Sequence, residues 1–291
     1  MLGVPEHEDS ISGMLTSKDL VILALAVERI EKRTLIQRLL TCAGMPVDWV
    51  LRAMPESGRA LIARASRVAL KTALNAALCT IDPRQGQPRI WFHRLAAATL
   101  GAAGGAMGLA GFVIELPITT TAILRSIAAI ARNEGEDLVN PATGLACIEV
   151  FGLGGGLERN SLESSYLATR ALIARQMAAA ADYLASGATD YHMAPQLIRL
   201  VEVVAPRFGV VVEEQFLGKV VPIISVMGGA TINTAFMAHF QNIATGHFTV
   251  RRLERYYNPD IVAAAYRRAY ATMMQGKLEP HHLGRTDGPY R

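Results

Sequence analysis

The stretch Val220 to Glu254, VVPIISVMGGATINTAFMAHFQNIATGHFTVRRLE, constrains the fold more than any other part of the chain. It opens with eighteen uncharged residues, Val220 to Met237, interrupted by a proline, a Gly-Gly pair and a lone asparagine. A second uncharged run, Leu95 to Ile114, is twenty residues long, the spanning length of a bilayer. It is mostly Ala and Gly, which drive insertion less well than Leu, Ile or Phe. Its glycines form small-xxx-small pairs (Gly101/Gly105, Gly104/Gly108) that let two helix backbones approach closely, in lipid or in a soluble core. Both settings are open for the two runs. Neither alternates with the period of two that marks a half-buried strand.

The rest of the chain reads as helix. Hydrophobic residues make up 51%, charged residues 19% and aromatics 6%, a mixture that suits closely packed helices better than a β-sandwich. Thr16 or Ser17 caps a first helix, to about Cys42, and Ser57 a second, to about Leu78. After the first uncharged run, Glu115-Leu116-Pro117 restarts the chain, with Pro117 early in a new helix. Leu116, Thr120, Ile123, Ile127 and Ile130 lie on one face of it. A short helix follows around 142–151. Asn160, with Glu163 three residues on, caps a long one to about Ala185, where Ser186-Gly187 ends it. Pro195 opens the next helix, and Pro206 to Gly209 breaks the chain again. A last long element runs from Val210 to Ala244, bent or split at Pro222, with Gly246 placed to end it. Pro259 to Met274 is a terminal helix. The expected fold is all-α: residues 1–16 a disordered tail, 17–275 a single multi-helix domain with two Gly-rich apolar helical segments, and 276–291 a flexible tail.

Charge is uneven. Residues 1–94 net +4, residues 95–246 net −4 and residues 247–291 net +4. Basic ends around an acidic, apolar middle fit either an ordinary solvated surface or contact with anionic lipid or an acidic partner. No basic stripe is interleaved with aromatics, so nucleic acid is not an expected partner. Cys42, Cys79 and Cys147 are far apart and form no CxxC, which fits buried thiols in a reducing compartment. The first fifteen residues carry acids where a signal peptide needs bases, so a cytoplasmic location is expected.

Few residues point to chemistry. FGLGGGLE (151–158) lacks the Lys-Ser/Thr of a phosphate-binding loop and follows no expected strand. His239 and His247 lie about 80° apart round an ideal helix and would need acids from elsewhere to hold a metal. No metal and no cofactor is expected. Asn233 shares a stripe with Phe236, Met237 and Phe240, where a buried amide needs a partner, and it either fixes helix register or meets a ligand. Glu115 and Thr119 are the partners to expect for Asn233 and His239. Glu115 and Lys219 each flank one uncharged run, and can pair across the core.

Taken in order, ELPITTTAILRSIAAIARNEGEDL (115–138), ACIEVFGLGG (146–155), SYLATRA (165–171) and PIISVMGGATINTAFMAHFQNIATGHFTVRRLERYY (222–257) resemble the bacterial EcsC family over roughly residues 60 to 272. The resemblance implies a mostly helical bacterial protein from a family named for its place beside an ABC transporter linked to secretion. It implies no catalytic residues; Glu115, Arg125, Glu149, Asn233, His239, His247 and Arg251 are the polar positions inside the matched segments. Three functions are to be weighed. The first is a non-enzymatic protein peripheral to the cytoplasmic face of the inner membrane, binding lipid or a membrane protein such as an ABC transporter or secretion component. There Glu115, Thr119, Asn233 and His239 are candidate ligand-binding residues, and Arg251, Arg252 and Arg255 face the membrane or partner. The second is an enzyme acting on a hydrophobic, lipid-like or peptide substrate, with Glu115, Asn233 and His239 lining a pocket. The third is a soluble homo-oligomerising scaffold.

Overall fold

The computed structural model describes residues 15–31, 54–79, 108–154, 164–187, 194–220 and 229–278. Among them are eight helices and no strand. In chain order these are α1 (Ser17–Ile30), α2 (Glu56–Cys79), α3 (Gly108–Asn133), α4 (Pro141–Leu153), α5 (Ser165–Ala185), α6 (Pro195–Val220), α7 (Gly229–Tyr256) and α8 (Pro259–Leu278). The all-α expectation holds. Most of the expected tails, most of the first uncharged run, residues 221–228 of the second, Cys42 and the proposed Asn160 cap lie outside the described residues; Thr16 caps α1 and α8 runs to Leu278, so the described part reaches a little into both expected tails.

The short helix α4 is the centre of the molecule. Asn140 caps it by accepting a hydrogen bond from the Ala142 amide, and Pro141 fills the first position, where an amide would have no helical partner. From Leu145 to Leu153 every residue is buried. A helix apolar all round must be enclosed, and α2, α3, α5, α6 and α7 all pack against α4. Around this axis α2 lies between α3 and α6, α7 between α1 and α3, and α8 closes over α1 and α7.

Three expected breaks are absent, each for a tertiary reason. Pro117 sits inside the continuous helix α3, not near the start of a new one. Leu116, Ile123 and Ile127, at most 1% exposed, anchor the helix on both sides of it. The hydroxyls of Thr120 and Thr121 donate to the carbonyls of Leu116 and Pro117, satisfying themselves within the helix. Pro206 and Gly209 likewise lie within the unbroken α6. Pro206 is on the exposed side, while Val204, Phe208, Val211 and Val212 hold the buried side. Burial of that stripe outweighs the roughly 3 kcal/mol that an interior proline costs.

Gly246 is the third. Instead of ending its helix, it lies in the interior of α7, where α1 crosses. A Cβ there would lie 2.5 Å from Ile30 Cγ1 and 2.8 Å from the Ala26 carbonyl oxygen. The glycine is a crossing point, not a cap. The fourth difference is at α5, whose cap is Ser164, accepting from the Leu167 amide, instead of Asn160. Its C-terminal end is as expected, with Gly187 at φ 75°.

Candidate functional site

Two polar clusters stand out, at opposite ends of α7. The first joins the start of α3, the end of α6 and the start of α7. Lys219 Nζ is 3.0 Å from Glu115 Oε2, and Asn233 Nδ2 donates to Glu115 Oε1 at 2.8 Å. Gln215 donates to Asn233 Oδ1 at 2.9 Å. The Lys219 ammonium also lies 5.0 Å from the centre of the Phe112 ring, which packs on Phe216. The half-buried Asn233 therefore has both faces of its amide satisfied, one by each neighbouring helix. Thr119 and His239 are not part of this cluster. The Thr119 hydroxyl donates to the Glu115 carbonyl of its own helix. His239 Nε2 lies 3.3 Å from the carbonyl of Gly154, at the end of α4. A Cβ on Gly154 would crowd that imidazole, at 3.0 Å.

The second cluster lies at the other end. Asn233 and Arg252 are nineteen positions apart on α7, about 28 Å along its axis. Here Gly135, at φ 83°, turns the chain between α3 and α4, and its neighbours Glu134 and Glu136 meet three arginines. Arg251 holds Glu136 with two bonds, at 2.9 and 3.3 Å. Arg255 bonds Glu136 and the Glu134 carbonyl, and Arg252 Nη1 is 3.4 Å from Glu134 Oε2. The arginines read from the sequence as a membrane-facing patch are thus drawn onto two carboxylates of the α3–α4 turn. Burial raises the Glu136 carboxyl, but the bonds and charges of Arg251 and Arg255 outweigh it and leave the group below its ordinary range.

Beneath this clamp the cluster runs inward. Arg170 of α5 holds Glu254 of α7 at 2.7 and 3.1 Å. Its Nε is 3.9 Å from Glu149 Oε1, on the central helix. His247, fully buried, places Nε2 at 3.7 Å from Glu149 Oε2 and Nδ1 at 3.1 Å from the Tyr166 hydroxyl. Tyr166 stacks on Tyr266 of α8, whose hydroxyl donates to Glu31 at the end of α1. Ser164 and Ser165 donate to the same carboxylate. Burial pushes the Glu149 carboxyl up, against the charges of Arg170 and Arg251, and drives His247 well down. Burial also raises the Cys147 thiol to about 12, so it is an inert thiol.

Arg170, Glu254 and Tyr166 were not singled out from the sequence, although each lies in a segment that carried the family resemblance. The signal for Glu254 was present: His247, Arg251 and Glu254, at i, i+4 and i+7, share one face of a helix. Reading Gly246 as a stop concealed it. No group of three His, Cys, Asp or Glu side chains that could hold a metal occurs among the described residues, and the two histidines named as a possible metal pair have separate partners.

The family model of the EcsC protein family matches residues 36–253, three quarters of the chain. No curated protein and no solved structure matches.

Proposed function

The chain belongs to the EcsC protein family, and on that premise we propose that it is a non-enzymatic helical protein of the cytoplasmic face of the inner membrane. It engages lipid or a membrane protein, such as a transporter or secretion component, through the end of the bundle that carries Glu115, Lys219 and Asn233. One observation carries this reading. Those three side chains, bonded to each other, bring the start of α3 and the junction between α6 and α7 to the same place. The two long uncharged stretches of sequence, up to Ile114 and from Val220 onward, therefore join the bundle at one end. Ile114, 59% exposed, lies there, next to Glu115.

Other features agree. Gly111–Asn133 of α3 is long and apolar enough to cross a membrane by length and composition, and 33% of its apolar window is buried within the protein. The arginines at the far end of α7 belong to a different surface. At about 28 Å they are several screening lengths, each about 8 Å, from a bilayer that meets the apolar end. Attachment is therefore chiefly apolar, with little salt dependence, in contrast to the electrostatic contact that the basic C-terminal part of the sequence suggested.

Flotation of the purified chain with liposomes tests this. Wild type should float with vesicles, and high salt should release little of it. Ile114→Glu, an exposed position where folding tolerates a charge, should lower the floated fraction severalfold. If Arg252→Glu with Arg255→Glu abolishes flotation while Ile114→Glu floats normally, the membrane surface is the other end. If wild type does not float at all, the chain is not a lipid-binding protein.

A further inference from the structure

The hydrogen bonds among Lys219, Glu115, Asn233 and Gln215 have a fixed order. Lys219 donates to Glu115 Oε2, and Asn233 meets the other oxygen, Oε1. A carboxylate paired with an ammonium accepts and does not donate, so Asn233 must turn its Nδ2 to Glu115 and its Oδ1 away. That oxygen requires a donor in turn, and Gln215 supplies Nε2 at 2.9 Å. Flipping either amide would set two oxygens against each other. The row therefore ends on the Gln215 carbonyl oxygen. Gln215 is 2% exposed, and its Oε1 is buried with no hydrogen-bond partner among the described residues.

A buried acceptor without a donor is costly, and here the order of the neighbouring bonds imposes one. Its surroundings say what kind of donor suits it. Glu115 is bonded to the same asparagine, so the acceptor lies near a carboxylate and favours a cationic donor over a hydroxyl. Lys219, 3.0 Å from that carboxylate, makes the cluster neutral as a whole. An ammonium has three donors and Glu115 takes one, which leaves Lys219 able to bond an anion as well. Lys219 is 20% exposed and next to last in α6. Gln215 lies one turn deeper on the same helix, about 6 Å along its axis. Together they offer a donor outside and an acceptor one turn within.

The geometry points to a site for the headgroup of an ethanolamine phospholipid, whose phosphate meets Lys219 and whose primary ammonium donates to Gln215 Oε1. This rests on the membrane reading above and names the lipid. Phosphate and ammonium are joined by a two-carbon arm, a span comparable to the single turn between Lys219 and Gln215. Glu115 stands beside the ammonium as its countercharge, and the acyl chains share the apolar end at which Ile114 is exposed. Asn233 does not touch the lipid; it orients Gln215. A choline headgroup carries the same two charges but no N–H, so it leaves the Gln215 oxygen unpaired. The site therefore selects by hydrogen bonding and not by net charge, in keeping with an attachment of little salt dependence.

The test compares flotation of the full chain with vesicles of phosphatidylcholine alone and of phosphatidylcholine mixed with an equal part of phosphatidylethanolamine. Wild type should bind the ethanolamine vesicles about fivefold more tightly, the worth of one net hydrogen bond. Gln215→Met, which keeps the side chain's length and removes the amide, should bind both alike. Equal binding of wild type to the two vesicles would overturn the proposal and leave membrane attachment standing. An ethanolamine preference that survives in Gln215→Met would also overturn it, by tracing the preference to the bilayer. Should that variant not fold, or wild type float with neither vesicle, thermal melts of wild type with glycerophosphoethanolamine and glycerophosphocholine decide the question. Stabilisation by the ethanolamine compound alone supports the headgroup site, and in a chain that does not float it would refute only the membrane attachment. Equal shifts, or none, refute the site.

Discussion

Asn233 and Glu115, 118 positions apart in the chain, share a hydrogen bond of 2.8 Å, and that bond fixes where α7 starts against α3. Gln215 completes the arrangement from α6, so one amide joins three helices. The asparagine interrupts an otherwise uncharged and largely apolar run because this end of the bundle needs a donor and an acceptor in one small side chain.

Replacing Asn233 by Leu takes the partner from Glu115 Oε1, leaving that carboxylate with Lys219 alone, and from the Gln215 amide. The expected loss is about 1–3 kcal/mol, at the lower end if water reaches the half-buried site. Urea unfolding measures it. A ligand-binding role instead predicts a variant that folds as well as wild type and loses cellular function alone, so melts and complementation of a deletion strain are run together.

At Gly246 the sign of the effect is diagnostic. In an ordinary helix interior, Gly→Ala stabilises by up to about 1 kcal/mol. Here the new methyl meets Ile30 and the Ala26 carbonyl, so Gly246→Ala should destabilise by about 1–3 kcal/mol. Adding Ile30→Ala should not restore full stability, because the Ala26 backbone still blocks the site. A melting temperature for Gly246→Ala above that of wild type would falsify the crossing-point reading.

The bond between Arg170 and Glu254 links α5 to α7 in a partly enclosed site. Arg170→Ala leaves Glu254 and Glu149 without their guanidinium, and a loss of about 3 kcal/mol or more is expected. Arg170→Lys should recover only part of it, since a point charge cannot make both bonds to Glu254 or lie as a flat guanidinium over the Tyr166 ring. Chemical denaturation of the pair of variants gives both numbers; equal stability of Arg170→Lys and wild type would mean that charge alone matters.

Acid should act first on the α3–α4 turn. The Glu136 carboxyl is held below its ordinary range by Arg251 and Arg255, which outweigh the effect of burial. A depressed acid contributes stability above its unfolded value, near 4.3, and loses it as pH falls through the folded value. Arg251→Gln should reduce this acid loss. The measurement is the difference between the two melting profiles from pH 6 down to pH 3, and it should shrink steadily over the lower part of that range.

Helix type was legible throughout because it depends on near neighbours: apolar spacing, Pro195, Ser186-Gly187. The boundaries that failed were those at Pro117, Pro206 and Gly246, residues whose local preference is to stop a helix. Their outcome depends on what the opposite face buries. Pro206 is carried by the packed stripe of α6, and Gly246 is required by α1, which lies more than two hundred positions earlier in the chain.

The same division runs through the two clusters. The sequence by itself determined an all-helical chain, and that Glu115, Lys219 and Asn233 flank or interrupt the uncharged runs, because composition and spacing are enough for each; its resemblance in four segments carried the family. Only the tertiary structure decided that those three meet, that His239 is directed to Gly154 instead, that Arg251, Arg252 and Arg255 are spent on Glu134 and Glu136, and that Glu149 is left as the third carboxylate beside two arginines. Pairing of charges depends on distance in space, and the packing of α5 and α7 around the buried α4 sets those distances.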